Sequence, residues 1–315
     1  CVILLSAPDV STRQCALKQV RRNKGAPGID GMTVDELPNH LRHHWLEIRA
    51  QLEAGTYRPQ PARRVDIPKA NGKTRPLGIP TVLDRFIQQA IAQIISAHWE
   101  PQFHPHSFGF RPQRSAHDAV RHVQEEIRNG YRWVVDIDLE AFFDRVNHDR
   151  LMARLKQRVQ DKALMRLINR YLKAGVRIDD HTQPTTMGVP QGGPLSPVLA
   201  NIVLDELDWE LHRRGHRFAR YADDCNILVK SKRAGERVMN SVTRYVSATL
   251  RLTVNPLKSA VDRPQNRKFL GFTVSRNGAK LKVADAAIDK LKRRIRELTR
   301  RTRGRRFEHI IAELR

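Results

Sequence analysis

Two neighbouring carboxylates, Asp223 and Asp224, are the residues of this chain best suited to chemistry. They follow Tyr221-Ala222 and stand between two apolar stretches, a pattern that predicts a tight turn joining two short strands. A third acid, Asp136, ends the apolar run Trp133-Val134-Val135. Because like charges repel unless a cation lies between them, these acids predict a site for two Mg²⁺ ions about 3.5–4 Å apart, which would serve in-line phosphoryl transfer.

A second Asp pair, Asp179-Asp180, shows that two adjacent acids mean little by themselves. Arg177 precedes this pair, His181 follows it, and no long apolar strand flanks it. We therefore predict a solvated turn at this point. The strands around Asp223-Asp224, together with a second strand-end Asp, are what favour the palm of a polymerase there.

The charge of the chain indicates a polyanionic partner. Its 315 residues carry 57 Lys and Arg against 33 Asp and Glu, a net charge of +24 spread along the whole length. This distribution favours nucleic acid. No apolar run approaches the ~18 residues of a membrane span, and no signal peptide is visible. The three cysteines have no zinc-binding spacing, and they fit a reducing cytosol.

Hydrophobic periodicity predicts mixed helices and strands, in a chain long enough for two or three domains or one large multi-part fold. Helices are predicted over 9–24, 33–54, 84–99, 194–213 and 233–250, after a capping box at 115–118, and twice between 148 and 174. Strands are predicted over 58–80 around Asn71-Gly72, at 131–137, 176–187 and 217–230, near 252–254 and 268–274, and at 279–283. The alternation over 115–283 predicts an α+β fold with a split β-α-β sheet and helices on one face.

The last segment has an amphipathic pattern. Its apolar residues recur at helical spacing among many Lys and Arg side chains: Ile288, Leu291, Ile295 and Leu298. Among so much other basic surface, this pattern favours a nucleic-acid backbone as the partner. A further helical pattern over 307–314 runs to Arg315 without a stop signal, so we expect a fragment of a longer protein.

Seven short motifs occur along the chain in one order. They are Gly25-Ala26-Pro27-Gly28-Ile29-Asp30-Gly31, Arg75-Pro76-Leu77-Gly78-Ile79-Pro80, Ser107-Phe108-Gly109-Phe110-Arg111-Pro112, Val135-Asp136-Ile137-Asp138-Leu139-Glu140-Ala141-Phe142-Phe143-Asp144, Pro190-Gln191-Gly192-Gly193-Pro194-Leu195-Ser196-Pro197, Tyr221-Ala222-Asp223-Asp224 and Phe269-Leu270-Gly271-Phe272. In this order they make the chain resemble bacterial group II intron reverse transcriptases (maturases) over nearly its whole length.

The resemblance implies a right-hand polymerase. Residues 1–57 would form an N-terminal helical extension, 58–283 the fingers and palm, and 284–315 the truncated start of a helical thumb or maturase region. The complete thumb, the maturase-specific region and the DNA-binding domain would lie beyond Arg315, and no H-N-H endonuclease motif is visible. Splicing and intron mobility are therefore in doubt for this part of the chain alone.

The implied activity is RNA-directed DNA synthesis, a nucleotidyl transfer onto a primer 3′-hydroxyl. The implied partners are an RNA template, a DNA or RNA primer, dNTPs and the host intron RNA, with splicing and retrohoming as functions of the full-length protein. The expected location is the bacterial cytoplasm, in an RNA–protein particle or at the nucleoid. The alternatives are a splicing cofactor with a vestigial polymerase site, a CRISPR-associated or diversity-generating reverse transcriptase, and RNA synthesis on RNA.

By the same resemblance, Asp136 and Asp223 are metal ligands, the Ile137 carbonyl is an additional oxygen ligand, and Asp224 is a third acid with a weaker hold. Two Mg²⁺ ions suit carboxylate, triphosphate and water ligands, and Mn²⁺ can substitute. One ion would lower the pKa of the primer hydroxyl, and the other would neutralise the triphosphate and the leaving pyrophosphate.

The family pattern places Phe143 as a steric gate against a 2′-hydroxyl, which opposes RNA synthesis. If this stretch is extended, Phe142 faces the opposite side. The alternative is that both rings belong to the core. Gln191, in a Pro-Gln-Gly turn, would contact the nascent base pair.

Four basic residues are candidates for contacts with the triphosphate. Lys69 and Arg75 flank the Asn71-Gly72 turn and resemble residues that clamp the triphosphate, and Arg63 is a weaker candidate. Lys258 is a candidate for protonating pyrophosphate. Ordinary surface charge is the alternative interpretation, most strongly for Lys69.

Template and primer contacts are expected from two further motifs. Phe108, Phe110 and Arg111 combine rings and charge in a loop suited to stacking and phosphate pairing, with a core role for the rings as the alternative. Leu270 and Gly271 would support the primer end. His104-x-His106 lacks further ligands nearby in the sequence, so we expect no zinc there.

Overall fold

The computed structural model describes residues 10–68, 72, 74–275 and 280–300, together with residues 304, 308 and 311. Helices α1 (Val10–Arg22) and α2 (Leu37–Glu53) come first, followed by the hairpin of β1 (Ala62–Pro68) and β2 (Thr74–Ile79) and by α3 (Val82–Trp99). Strand β1 also pairs in parallel with β4 (Val176–Ile178), which forms a hairpin with β5 (His181–Gln183). This first sheet has the order β2-β1-β4-β5.

The turn between β4 and β5 contains the second Asp pair. The Asp180 side chain is 96% exposed and forms an ion pair with Arg177. The prediction of a solvated turn is confirmed.

A central antiparallel sheet lies in the middle of the chain. It has the order β6-β7-β3-β8, with β3 (Trp133–Ile137), β6 (Arg217–Tyr221), β7 (Asp224–Val229) and β8 (Ala260–Asp262). Its helices are α4 (Ala116–Arg128), α5 (Phe142–Arg145), α6 (His148–Lys156), α7 (Lys162–Lys173), α8 (Ser196–Arg213) and α9 (Lys232–Tyr245), the last continuing as a π-turn over Val246–Leu250. A 3₁₀ turn (Pro264–Asn266), the pair β9 (Phe272–Val274) and β10 (Leu281–Val283), and helix α10 (Asp285–Leu298) follow.

The central sheet carries helices on both faces. Val135 and Ile227 belong to the large core that contains residues of α8 and α9, whereas Val134 and Leu228 belong to a second core that contains residues of α4. Successive residues of a strand point to opposite faces of the sheet. The residues on both faces of β3 and β7 are apolar here because helices cover both faces. The expectation of helices on one face is therefore wrong.

Local sequence signals explain several boundaries. At the start of α4 the Ser115 hydroxyl accepts a hydrogen bond from the Asp118 amide (3.2 Å), and the Asp118 carboxylate accepts one from the Ser115 amide (2.9 Å). This reciprocal pair is the predicted capping box. The strand expected near 252–254 is reduced to a bridge between Leu139 and Val254, and the strand that completes the sheet is β8. A three-residue strand with polar members has too little periodicity to be predicted.

Four histidines pack together beneath the sheet. His104 Nε2 lies 3.1 Å from His212 Nδ1, and the rings of His106 and His122 are 4.0 Å apart. Burial first, and then neighbouring histidines and arginines, lower the pKa of His104 and of His106 to about 4. Within the described ranges, no three His, Cys, Asp or Glu side chains are grouped to hold a metal ion. His104 and His106 are thus neutral packing groups at pH 7.

We expect acid to destabilise the protein through this cluster. A histidine whose pKa is lower in the folded state than in the unfolded state stabilises the fold fully at pH values above the unfolded pKa of about 6.5. This stabilisation is lost as the pH falls from there towards 4. The free energy of unfolding should fall by up to about 1.4 kcal/mol per pH unit for each such histidine. Urea titrations at pH 7, 6 and 5 measure this slope.

Two variants separate the cluster from other acid effects. His106→Gln should flatten the slope between pH 6.5 and 5, whereas His98→Gln, at an exposed position on α3, should leave it unchanged. Equal slopes in the wild type and in His106→Gln would remove the histidines as the cause.

Candidate active site

The acids predicted to act together meet at one end of the central sheet. Asp136 is paired with Asn226 across β3 and β7, and Ile137 is paired with Cys225. Because side chains alternate along a strand, Asp136 and Asp224 share one face. Asp223 lies between the paired residues Tyr221 and Asp224, in the turn that joins β6 to β7.

The electrostatics of this end are those of crowded carboxylates. The pKa of Asp224 is raised to about 6, first by desolvation and then by repulsion from Asp223, Asp138 and Asp136. The Asp224 side chain nevertheless still reaches solvent. Desolvation also raises the pKa of Asp223 and of Asp136. Such a group favours a cation, and its oxygen ligands are those that hard divalent ions prefer.

Asp136 is held by an arginine that the sequence did not indicate. Arg267 Nη2 and Nε lie 2.6 and 2.9 Å from Asp136 Oδ2, and Asn226 Nδ2 lies 3.0 Å from Oδ1. The same Arg267 Nη2 donates to the Lys258 carbonyl (2.6 Å). In the sequence, Arg267 is only a basic residue two positions before the Phe269-Leu270-Gly271 motif. That pattern does not identify a partner 131 positions away.

Asp138, beside the cluster, has its own counter-cation. Lys258 Nζ lies 3.2 and 3.1 Å from the two carboxylate oxygens of Asp138, so these two side chains form a salt bridge. The oxygen donors of Asp136, Asp223 and Asp224 are of the type that suits a divalent ion. With Asp136 bound to Arg267, they do not form a group arranged to hold a metal ion among the described residues, so coordination would need these side chains to rearrange.

Unusual backbone conformations occur close to the acids. Ala222 has a φ of +56°, and Phe110, Ala141 and Leu270 also have positive φ. A Cβ atom at Gly109 would lie 2.4 Å from the Ala222 amide nitrogen, so only glycine allows this close approach. Strained residues persist where the surrounding structure holds them, and they concentrate at functional sites.

A cleft of about 530 Å³ brings several predicted nucleotide contacts together: it is lined by Arg75, Phe143, Gln191 and Phe110, among others. Arg75 Nε donates to Gln191 Oε1 (2.6 Å), and Gln191 Nε2 donates to Asp144 Oδ1 (3.3 Å). The Gln191 carbonyl accepts from the Gly78 amide (2.8 Å), which ties the 190–193 loop to β2.

The two neighbouring phenylalanines have different environments. Phe142 is buried in the large core, whereas Phe143 is half-buried and lines the cleft. The stretch is helical from Phe142 to Arg145 and begins after Ala141 with a φ of +47°, so the extended conformation on which the opposite facing of Phe142 depended is not present. The rings nevertheless point to different surroundings.

Two of the three predicted template residues require correction. Phe108 is buried in the second core. The Arg111 side chain is 3% exposed, and its guanidinium is engaged by the Glu100 carboxylate and by the carbonyls of His104 and Ser107. Neither residue can reach a template, because both are taken up by packing within the chain. Phe110 is 50% exposed and lies in the cleft.

Two of the other three candidates for contacts with the triphosphate lie in different surroundings. Lys69 lies outside the described residues. Arg63 Nη2 donates to the Pro27 carbonyl (2.8 Å) and Arg85 Nη2 to the Ala26 carbonyl (2.7 Å), so these two arginines hold the 25–31 loop. The interpretation of Arg63 as a triphosphate ligand stays a prediction. Lys258 lies beside the acids through its pair with Asp138.

A second cleft, of about 920 Å³, contains two of the acids. Leu270 and Gly271 line it together with Asp136, Asp224 and Arg267. The predicted primer-end residues therefore lie beside the predicted metal ligands.

Comparison with known proteins agrees with this geometry. Residues 67–274 match the family model described as reverse transcriptase (RNA-dependent DNA polymerase), which covers more than half of the chain. The chain therefore belongs to the reverse transcriptase family, whose members generally use divalent metal ions.

Its relatives define the branch of the family. Protein YkfC of Escherichia coli is 36% identical over 82% of this chain and 78% of its own length. The group II intron-encoded protein LtrA of Lactococcus lactis is 41% identical over 65% of this chain, but that match covers only 34% of LtrA. These similarities identify a reverse transcriptase of the group II intron type.

Solved structures support the fold. The telomerase of Candida albicans, in complex with a telomeric RNA fragment, is 14% identical with a TM-score of 0.57, over 82% of this chain and 55% of that one. The predicted α+β polymerase fold is thus confirmed. In the part of the chain that the structure describes, no helix combines the length and hydrophobicity needed to cross a membrane.

Proposed function

We propose that this chain copies RNA into DNA at Asp136, Asp223 and Asp224 by adding dNTPs to a primer 3′-hydroxyl. The observation that carries the proposal is the grouping of the three acids at one end of the central sheet, with Asp136 and Asp224 in the cleft that Leu270 and Gly271 also line. Arg75, which lines the other cleft with Phe143 and Gln191, is close enough to Asp223 to act on its pKa, so a nucleotide held there would reach the same acids.

The acids would hold two Mg²⁺ ions, with the Ile137 carbonyl as an additional ligand and with Mn²⁺ as a substitute. Bound divalent ions supply the positive charge that makes the primer hydroxyl acidic and stabilises charge on the phosphates. Asp136 becomes available for this role when Arg267 releases it.

The chain's own side chains would position the reactants. Arg75 pairs with the triphosphate, and its bond to Gln191 couples that contact to the residue at the nascent base pair. Phe143 excludes a 2′-hydroxyl, and Phe110 stacks on the template. Lys258, which is 64% exposed, would donate a proton to the leaving pyrophosphate.

The proposed partners are an RNA template, a DNA or RNA primer and the host intron RNA, in the cytoplasm or nucleoid of a bacterium. We assign residues 1–57 to an N-terminal extension, 58–283 to fingers and palm, and 284–315 to the start of the thumb. The name of LtrA, a group II intron-encoded protein, supports intron RNA as a partner. Splicing and retrohoming belong to the full-length protein in this proposal.

Primer extension on an RNA template tests the proposal. With Mg²⁺ present, the chain should extend the primer with dNTPs and should use NTPs poorly. Preferential use of NTPs would make it an RNA polymerase. Tight and specific binding of intron RNA without any extension would identify a splicing cofactor with a vestigial site.

Template–primer binding should weaken steeply with salt. If about six to eight phosphates are neutralised, the slope of log affinity against log salt concentration should be roughly −4 to −7. Fluorescence anisotropy between 50 and 300 mM KCl, about the range in which counterion release dominates, measures this slope. A slope near zero would contradict our interpretation of the +24 charge.

A further inference from the structure

An arginine lies at a core position immediately before the catalytic turn. Arg220 is on β6, and its side chain is 1% exposed. On the same face of this strand, Phe218 belongs to the large core. A charge at such a position is costly unless it is fully paired, so its partners indicate what it does.

Every N–H of the Arg220 guanidinium has an acceptor. Nε and Nη2 bind the two carboxylate oxygens of Asp208 on α8 (2.7 and 2.6 Å). The remaining N–H groups bind Asn201 Oδ1 (3.0 Å), Ser107 Oγ (2.7 Å) and the Ala222 carbonyl (2.9 Å). Asp208, Asn201 and Ser107 are themselves buried.

The bond to Ala222 connects this buried network to the catalytic acids. Ala222 has a left-handed φ, which is unfavourable for alanine, and its carbonyl belongs to the peptide bond that leads into Asp223. Gly109 packs directly on the same turn, and its carbonyl accepts from Asn201 Nδ2 (2.8 Å). The turn is therefore held by groups anchored in α8 and in the 107–109 loop.

Stability alone does not explain the pair of Arg220 and Asp208. A buried ion pair can often be replaced by apolar residues of similar volume with no loss of stability. Catalytic groups, in contrast, depend on position, and a displacement of about 1 Å can reduce a rate about 10²-fold.

We propose that Arg220 is a positioning residue for nucleotidyl transfer, which fixes Asp223 and Asp224 through the Ala222 carbonyl. The inference rests on the proposed polymerase function. Asp208 orients the guanidinium, and Asn201 and Ser107 complete its surroundings.

The double variant Arg220→Met/Asp208→Leu tests the proposal, because it removes both charges together and leaves the Ala222 carbonyl without its donor. We expect kcat to fall roughly 10–100-fold, the range typical for groups that orient metal ligands. KM for dNTP and the Kd for template–primer should stay within about three-fold, since their contacts lie elsewhere. Mn²⁺ affinity, followed by electron paramagnetic resonance, should weaken by roughly the same factor as kcat.

Arg220→Lys and a matched control separate positioning from folding. Lysine keeps the charge but cannot make five bonds, so this variant should show the same decrease in kcat and in Mn²⁺ affinity. Arg170→Lys disrupts another engaged arginine, one that binds the Gly55 and Tyr57 carbonyls and has no described hydrogen bond to the turn or to the 107–109 loop. This variant should lose stability yet keep the wild-type kcat per folded molecule, with the folded fraction measured by circular dichroism.

Wild-type kcat and Mn²⁺ affinity in the Arg220 variants would overturn the proposal. A loss of kcat no greater than that of Arg170→Lys at equal folded fraction would also overturn it. If the wild type itself extends no primer, the polymerase function fails, and the comparison of Mn²⁺ affinities still decides the role of Arg220.

Discussion

Asp223→Ala should reduce primer extension by at least about 10³-fold, equivalent to about 4 kcal/mol of transition-state stabilisation. Asp223 lies in the turn between β6 and β7, with Asp224 beside it. The affinity for template–primer should remain within a few-fold, because it comes from many Lys and Arg contacts. Single-turnover extension and anisotropy measure the two quantities separately.

The other Asp pair offers a matched control. Asp180→Ala removes a fully solvated carboxylate, so its activity should equal that of the wild type. Asp223→Ala should also lower the pKa of Asp224, because repulsion from Asp223 is one of the causes that raise it. Activity of Asp223→Ala at a tenth of the wild-type value would remove Asp223 from the metal site.

Phe143→Ala should admit ribonucleotides. The ring lines the cleft beside Arg75 and Gln191, and its deletion opens the space that a 2′-hydroxyl would need. The use of NTPs relative to dNTPs should rise by one to two orders of magnitude, equivalent to about 1.4–2.8 kcal/mol of discrimination. Competing extension with dNTPs and NTPs on one template measures the ratio, and dNTP polymerisation itself should survive.

Phe142→Ala is the control for this result. Phe142 is 2% exposed within the core, so its truncation should cost about 3–5 kcal/mol of stability and leave the dNTP/NTP ratio of the folded protein unchanged. A shifted ratio in Phe142→Ala but not in Phe143→Ala would exchange the two assignments. No shift in either variant would end the steric-gate hypothesis.

The parts of the fold that were predictable depend on local signals. The capping box at Ser115, the turn at Gly72 and the apolar strand that ends near Asp136 each have a sequence pattern set by residues a few positions apart. The same is true of the hairpin around Asp223, whose flanking strands are apolar and short. Motif order then identified the family, because several weak patterns in one sequence together become specific.

The parts that failed depend on contacts between distant residues. Phe108 and Arg111 have the residue types of a template-binding loop, but their burial depends on α4 and on Glu100. The bond between Arg267 and Asp136 joins positions 131 apart, and no local pattern encodes it. For the same reason, sequence alone did not identify Arg220 as a bridge between α8 and the turn that carries Asp223.

Arg267 and Lys258 neutralise the charges of Asp136 and Asp138, so these two acids need no dissolved cation in the folded chain. Folding and metal loading are then separate equilibria, unlike those of small zinc domains that unfold when chelated. EDTA should stop primer extension yet shift the melting temperature by less than about 4 °C, and added Mg²⁺ should restore activity without refolding. A large loss of melting temperature in EDTA would contradict this. We therefore expect the enzyme to remain folded, though inactive, where divalent ions are scarce.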